Sequence, residues 1–110
     1  MAIIVKTGNP TELLKSIKRA IDNKKIETWE YDTDGDFIHT PDQWKGKAWL
    51  RPKIYIEELR FGILKQKDIS LSKTIYGVYH GRFIEMLLTH FDTDFSVAQA
   101  TAVITEPDDF

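Results

Sequence analysis

Two histidines in this chain stand near carboxylates, the pairing on which general acid–base chemistry depends. His39 follows the predicted strand that holds Glu30, and His80 lies in a predicted helix close to Glu85. Histidine is the side chain whose ordinary pKa lies nearest neutrality, so an oriented histidine can act as a base. The sequence has no glycine-flanked serine elbow, phosphate-binding loop or dinucleotide glycine pattern to accompany them. We therefore predict a non-enzymatic protein and keep a small enzyme centred on His39 or His80 as an alternative.

The segment 32–36 places carboxylates at alternate positions, as the first half of an EF-hand calcium loop does. Phe37 stands where that loop needs glycine, and Gln43 stands where it needs a bidentate glutamate. The flanking residues also alternate as in strands, whereas an EF-hand loop lies between helices. We interpret the segment as an aspartate-rich hairpin turn and predict no cofactor. The candidate metal ligands are Asp32, Asp34 and Asp36.

Cations alternate along a predicted strand in the middle of the chain. If the segment is extended, these cations and one indole share a single face. Such a face can follow a phosphate backbone while the aromatic ring stacks on a base. We interpret it first as a solvated outer strand face, and binding of a polyanion through it is an alternative. This basic strip consists of Lys45, Lys47, Trp49, Arg51 and Lys53, with Trp44 as a second indole nearby.

Gly77 and Gly81 lie one helical turn apart in the second predicted helix, with Tyr76 and Arg82 beside them. Each glycine destabilises a helix by about 1 kcal/mol relative to alanine, so each needs a structural reason. One interpretation is a pocket wall, or a close helix contact in a dimer, to which Tyr76 and Arg82 add polar groups. The interpretation we favour is tight packing against the small side chains of the last predicted strand. Those small side chains are Ala98, Ala100 and Ala102.

Two amphipathic helices and several short strands position these residues. The first helix has a clear start, with Asn9 as its N-cap and a proline directly after it. The second helix is predicted from about residue 72 to 91 by its broad apolar stripe. The Asp-Gly pair at 34–35 is a strong signal for a two-residue hairpin loop. In that register, Glu30 faces His39 across the hairpin.

The segment 96–105 has signals for both a helix and a strand. Ser96 and Gln99 resemble a capping box, which favours a helix. β-Branched residues and an alternating pattern favour a strand, which we predict. We assign residues 1–105 to a single domain and predict that 106–110 form a mobile acidic tail.

The predicted element order is β-α-β-β-β-β-α-β. Two helices on one face of a mostly antiparallel sheet of five to six strands give an α+β two-layer sandwich. This order resembles the ferredoxin-like split βαβ plan with extra strands in the middle. The resemblance concerns the fold and implies no functional residues.

Composition narrows the possible functions. The chain has 110 residues, 42% of them hydrophobic, and a net charge of −2, which predicts one globular domain rather than disorder. The acidic balance argues against non-specific nucleic-acid binding by the whole surface. The lack of cysteine excludes disulfides and thiolate chemistry. The apolar start is too short for a signal peptide, so we predict residence in the cytoplasm.

The aromatic content motivates the leading functional hypothesis. Six Phe, four Tyr and three Trp are more than one core of this size obviously needs, and aromatic residues are favoured at interfaces. We therefore predict a binding or regulatory domain that acts through protein contacts and forms a homo-oligomer. Binding of single-stranded nucleic acid or another polyanion to the basic strip is the alternative.

Overall fold

The computed structural model describes residues 1–109 and shows the predicted α+β two-layer sandwich, with two helices against a six-stranded sheet. The order of elements is also confirmed. Phe110, the last residue of the predicted tail, lies outside the described residues. The elements are β1 (Ile3–Lys6), α1 (Pro10–Asp22), β2 (Trp29–Tyr31), β3 (Phe37–His39), β4 (Ala48–Tyr55), β5 (Glu58–Lys65), α2 (Lys73–Phe91) and β6 (Val97–Ala100).

Helix α1 begins at its predicted cap, and α2 begins after a cap of the same kind that the sequence analysis did not assign. The Oδ1 atom of Asn9 accepts the backbone N–H of Glu12 at 3.2 Å. The hydroxyl of Ser72 accepts the backbone N–H of Ile75 at 3.0 Å. Each cap satisfies an N–H group that has no partner within the helix. Neither helix in the described range is both long and apolar enough to cross a membrane.

The strands lie in the order β2-β3-β4-β5-β1-β6, and neighbouring strands are antiparallel. Helix α2 connects β5 to β6, which lie on either side of β1. This is the split βαβ arrangement of ferredoxin-like folds. Strands β2, β3 and β4 extend the sheet beyond β5, as the extra strands of the predicted plan. The two edges of the sheet are therefore β2 and β6.

The β2–β3 hairpin differs from the prediction by one residue of register. Trp29, not Glu30, lies opposite His39. The cause is the loop, in which the N–H of Gly35 bonds to the carbonyl three residues earlier at 3.0 Å and Gly35 has φ +82°. A type I turn followed by a left-handed glycine thus replaces the two-residue turn. A shift of one residue turns the side chains of β3 to the other face, so His39 lies inside the fold.

Pro52 lies in β4 at a place where the strand has a single neighbour. Strand β3 pairs with β4 at Leu50, whereas β5 pairs with β4 along its full length. The outer edge of β4 is open from Arg51 to Tyr55, so the missing N–H of Pro52 removes no hydrogen bond from the sheet. Pro52 therefore lies on an open strand edge, where proline is tolerated.

The predicted last strand is confirmed, but it is shorter than the segment 96–105. It ends at Ala100, and Ala102 lies beyond it. Ala98 and Ala100 lie directly opposite core residues of β1. Because opposed residues share a face, both alanines are on the helix side of the sheet.

An aromatic cluster fills the space between the sheet and α2. Trp29 stacks on His39 with ring centroids 4.4 Å apart and meets Tyr79 and Phe83 edge-on at 5.6 and 4.9 Å. Nearly half of the aromatic side chains are thus buried in the core. The high aromatic content is therefore a weaker argument for a protein interface than the sequence suggested. The buried aromatic side chains are Trp29, Phe37, Phe61, Tyr79, Phe83 and Phe91.

The acidic tail contacts β5. Pro107 lies directly over Gly62, where an alanine Cβ would collide with the tail backbone. The carboxylate of Asp108 accepts the N–H of Ile63 at 2.8 Å, and the N–H of Asp109 donates to the carbonyl of Ile63 at 3.0 Å. The mobility of this tail stays a prediction, but these contacts connect it to a central part of the sheet.

Candidate functional site

A pocket of about 260 Å³ opens between α2 and the segments that flank β2 and β3. Residues 26–28 form one wall, and the turn after β3 forms another. Helix α2 contributes side chains three or four residues apart, which lie on one side of a helix. Sequence reasoning proposed three of the lining residues as site residues, and the pocket brings them together. They are His39, Trp44 and Arg82.

His39 is almost completely buried in the wall of this pocket, with 3% of its surface exposed. Its Nδ1 lies 2.8 Å from the carbonyl oxygen of Thr28, and because a carbonyl only accepts, Nδ1 carries the proton. Burial lowers the pKa of His39, so the ring is neutral at pH 7 and Nε2 holds a lone pair. Nε2 bonds to no group in residues 1–109, yet no fully buried side-chain nitrogen there lacks a partner. Nε2 therefore retains some access to solvent, and His39 lines the pocket.

Two opposite charges on α2 act on the His39 ring. Beyond burial and the Thr28 hydrogen bond, the charge of Arg82 lowers the pKa of His39 and the charge of Glu85 raises it, so both act on the ring. Arg82 forms no ion pair with any described residue. Trp44 is half-buried in the same wall. The pocket thus offers an acceptor, a cation, an anion and an apolar surface.

A larger cleft of about 620 Å³ lies beside the β4–β5 turn and includes Lys6 and Glu58. Lys6 and Glu58 already pair with each other, and the acidic residues Glu57 and Asp94 also line the cleft. The carboxylate of Glu58 accepts hydrogen bonds from Lys6 at 2.5 Å and Arg60 at 2.8 Å, which lower the pKa of Glu58. The lysine of this cleft is therefore already paired, whereas Arg82 in the smaller pocket forms no ion pair within residues 1–109.

His80 is used inside the fold. It is 3% exposed; its Nδ1 lies 2.7 Å from the carbonyl oxygen of Tyr76, and its Nε2 contacts the carbonyl oxygen of Met1. Burial lowers the pKa of His80. Both ring nitrogens face backbone carbonyls, so neither has an opening toward a substrate. The carboxylate expected beside it, Glu85, lines the His39 pocket instead.

The three candidate metal ligands lie close together, with carboxylate oxygens of Asp32, Asp34 and Asp36 within 4.8 Å of one another. The fold uses two of them. Asp32 accepts the N–H groups of Asp34 and Asp36, both at 3.0 Å. The buried carboxylate of Asp36 accepts two hydrogen bonds from Arg51, at 2.9 and 2.8 Å. The geometry matches the aspartate-rich turn favoured from the sequence, and it joins the hairpin to β4.

In β4, Trp49, Arg51 and Lys53 alternate with the buried Ala48 and Leu50 and face away from the helices as predicted. Lys45 and Lys47 lie in the turn before the strand, so the prediction that all five residues share one strand face is wrong. Ion pairs also occupy part of the strip. Arg51 is held by Asp36, whose hydrogen bonds raise the pKa of Arg51. The Nζ atom of Lys45 lies 3.5 Å from a carboxylate oxygen of Glu30. Glu30 is therefore a partner of the strip and not of His39. The remaining members are Lys47 and Lys53, which are exposed, and Trp49, which is half-buried.

The two helix glycines face solvent, so the predicted packing on the last strand is wrong. A Cβ at Gly77 or Gly81 would meet no atom within 4 Å beyond its own stretch of helix. The helix packs against the sheet through residues such as Tyr79. Tyr79 is two positions from each glycine, and two positions along a helix rotate the side-chain direction by about 200°, so Tyr79 lies on the side opposite to the glycines. Tyr76 is half-buried with its ring 5.1 Å from that of His80, and it does not line the His39 pocket.

The outer edge of β6 is a second feature that could contact another molecule. Within residues 1–109, β6 pairs with β1 and no strand covers its other side. The segment 96–105 contains no charged residue. Apolar side chains in it are exposed, namely Val97 (46%), Val103 (71%) and Ile104 (68%). At the opposite edge, β2 is three residues long and carries Glu30.

Sequence reasoning missed the part of α2 that completes the pocket. Met86 and Thr89 follow Arg82 at intervals of four and three residues, a spacing that signals one helix face. The carbonyl of Thr28 had no signal, because a backbone group is the same in every residue. No family model, curated protein or solved structure matches this chain.

Proposed function

We propose that this protein is a non-enzymatic cytoplasmic binding domain that acts through protein contacts and pairs with a second copy of itself through the outer edge of β6. The observation that carries the proposal is the bare edge, which has no charged residue from 96 to 105. An uncovered strand presents unpaired N–H and C=O groups, and another strand can add to them.

The other open edges of the sheet differ from β6 in a way that supports this choice. Strand β2 carries Glu30, and the open part of β4 contains Pro52 and Lys53. Charge and proline are features that protect strand edges from pairing. Strand β6 has neither charge nor proline.

A two-fold pair of β6 strands also fits the composition of the edge. In such a pair the same segment of both copies meets in antiparallel register, and two-fold symmetry is the commonest symmetry of soluble homo-oligomers. Charged residues of one sign in that segment would be brought close to their copies and repel, but this segment has none. Burial of exposed apolar side chains such as Val97 adds a favourable contribution.

Sedimentation equilibrium at micromolar concentrations tests the proposal. We expect a dimer for the wild type and a monomer for the Val97→Lys/Gln99→Lys variant, because lysine on an edge strand opposes pairing. Gln66→Lys, just after β5, is the matched control and leaves the dimer intact. Thermal melts confirm that each variant is folded. A wild type that stays monomeric, or a lysine variant that stays dimeric, contradicts the proposal.

The two alternative functions have less support. Polyanion binding stays a prediction, and it has less support because Arg51 and Lys45 already form ion pairs within the fold. It predicts that an oligonucleotide binds in a salt-dependent way and binds more weakly to the Trp49→Ala variant. The enzyme alternative now concerns His39 alone, since both nitrogens of His80 face carbonyls.

A further inference from the structure

The His39 pocket holds polar groups that self-association does not use. The Nε2 atom of His39 is a hydrogen-bond acceptor without a partner in residues 1–109, set in a nearly buried ring. The ring cannot turn freely, because Thr28 holds Nδ1 and the ring stacks on Trp29. An acceptor fixed in this way is suited to a ligand that brings an N–H or O–H donor.

The charges on α2 specify the rest of the ligand. Arg82 is exposed, unpaired in the described part of the chain, and able to hold a carboxylate through two hydrogen bonds. Glu85 lies less than one turn further along the helix and also lines the pocket. A ligand that satisfies both must carry a negative and a positive group a short distance apart. An N–H of its positive group can also donate a hydrogen bond to Nε2.

We propose that this pocket binds a free α-amino acid, with its carboxylate on Arg82, its ammonium group donating to Nε2 of His39 and to Glu85, and its side chain against Trp44 and Met86. The pocket volume of about 260 Å³ suits such a ligand, since clefts for drug-sized molecules measure about 300–1,000 Å³. This site is separate from the edge of β6 and does not depend on pairing there.

Other ligand classes fit the pocket less well. A simple anion would meet the carboxylates of Glu27 and Glu85 in the wall. A simple amine would leave Arg82 without a partner. A metal ion would need at least three ligand atoms that lie close together. Within residues 1–109, the aspartates of the β2–β3 loop are the one group that meets this condition, so the ligand atoms of His39, Glu85 and His90 do not lie close enough to hold a metal ion.

Isothermal titration calorimetry of the full chain with individual free L-amino acids tests the proposal. We expect saturable binding of at least one of them. The matching amine, which lacks the carboxylate, and the matching hydroxy acid, which lacks the ammonium group, should each bind about ten-fold or more weakly, as the loss of one charge-assisted hydrogen bond implies.

Two variants locate the binding. Arg82→Gln, at an exposed position, should weaken binding by about ten-fold or more. His39→Phe keeps a ring on Trp29 but removes the acceptor, and it should weaken binding similarly. Arg19→Gln, at an exposed position of α1, is the matched control and leaves affinity unchanged. Absence of binding by every amino acid, an amine that binds as tightly, or unchanged affinity in Arg82→Gln overturns the proposal.

Discussion

Replacing Gly77 and Gly81 of α2 by alanine should stabilise the protein. Neither glycine has a positive φ, and an added Cβ at either site would touch no other part of the molecule. The helix therefore gains about 0.8–1 kcal/mol for each substitution, or about 2 kcal/mol for both. With an unfolding entropy of ~2.1 cal/mol/K per residue over 110 residues, both changes together should raise Tm by roughly 8 °C.

Calorimetric or circular-dichroism melts of the single and double variants measure this gain. Gly46→Ala is a sharp control: its Cβ also meets nothing within 4 Å, but Gly46 has φ +75°. That variant should be destabilised by about 1 kcal/mol through backbone strain alone. A decrease in Tm for Gly77→Ala or Gly81→Ala would show that this face of α2 packs against something, and the solvent-facing assignment would be refuted.

Three further perturbations have defined outcomes. Arg51→Gln removes both hydrogen bonds to the buried carboxylate of Asp36. Urea titration should show a free energy of unfolding lower by about 1–2 kcal/mol, and the loss is no larger because the arginine is half-exposed. An unchanged urea midpoint contradicts this. Gly62→Ala places a Cβ 2.6 Å from the backbone nitrogen of Asp108, so the tail should detach and hydrogen exchange at Ile63 should accelerate, whereas Gly8→Ala should change nothing. Burial lowers the pKa of both His39 and His80, so below about pH 6.5 the unfolded chain binds protons that the folded chain does not bind. The free energy of unfolding is therefore unaffected by these histidines above about pH 6.5 and decreases as the pH falls below it. Melts from neutral to mildly acidic pH check this, and a smaller decline in His39→Phe would assign part of it.

The hairpin at 32–36 shows where prediction from sequence succeeded and where it failed. Aspartate and glycine at 34–35 correctly indicated a tight turn between two strands. Two turn types accept that pair, and they differ by one residue in length. The side chain of Asp32 favours the longer of these turns, because it accepts hydrogen bonds from two N–H groups of the loop. That one residue decides whether His39 faces solvent or the core.

The helices were predictable because their signals are local. Caps at Asn9 and Ser72 act on N–H groups three residues away. The surroundings of Gly77 depend instead on which side of α2 meets the sheet, and the contact of Pro107 with Gly62 joins residues far apart in sequence. Of the candidate site, sequence supplied His39 and Arg82, but their meeting in one pocket required the corrected hairpin.

The contrast between the edges of the sheet limits how large an assembly can become. If two copies pair at β6 as proposed, the joined sheet ends on both sides in β2, which carries the acidic side chain of Glu30. A charged side chain on an edge strand opposes pairing with a further strand, so neither end of the joined sheet favours the addition of a third molecule. The proposed pairing would therefore stop at two copies, because the hairpin that shapes the pocket also ends the joined sheet on both sides.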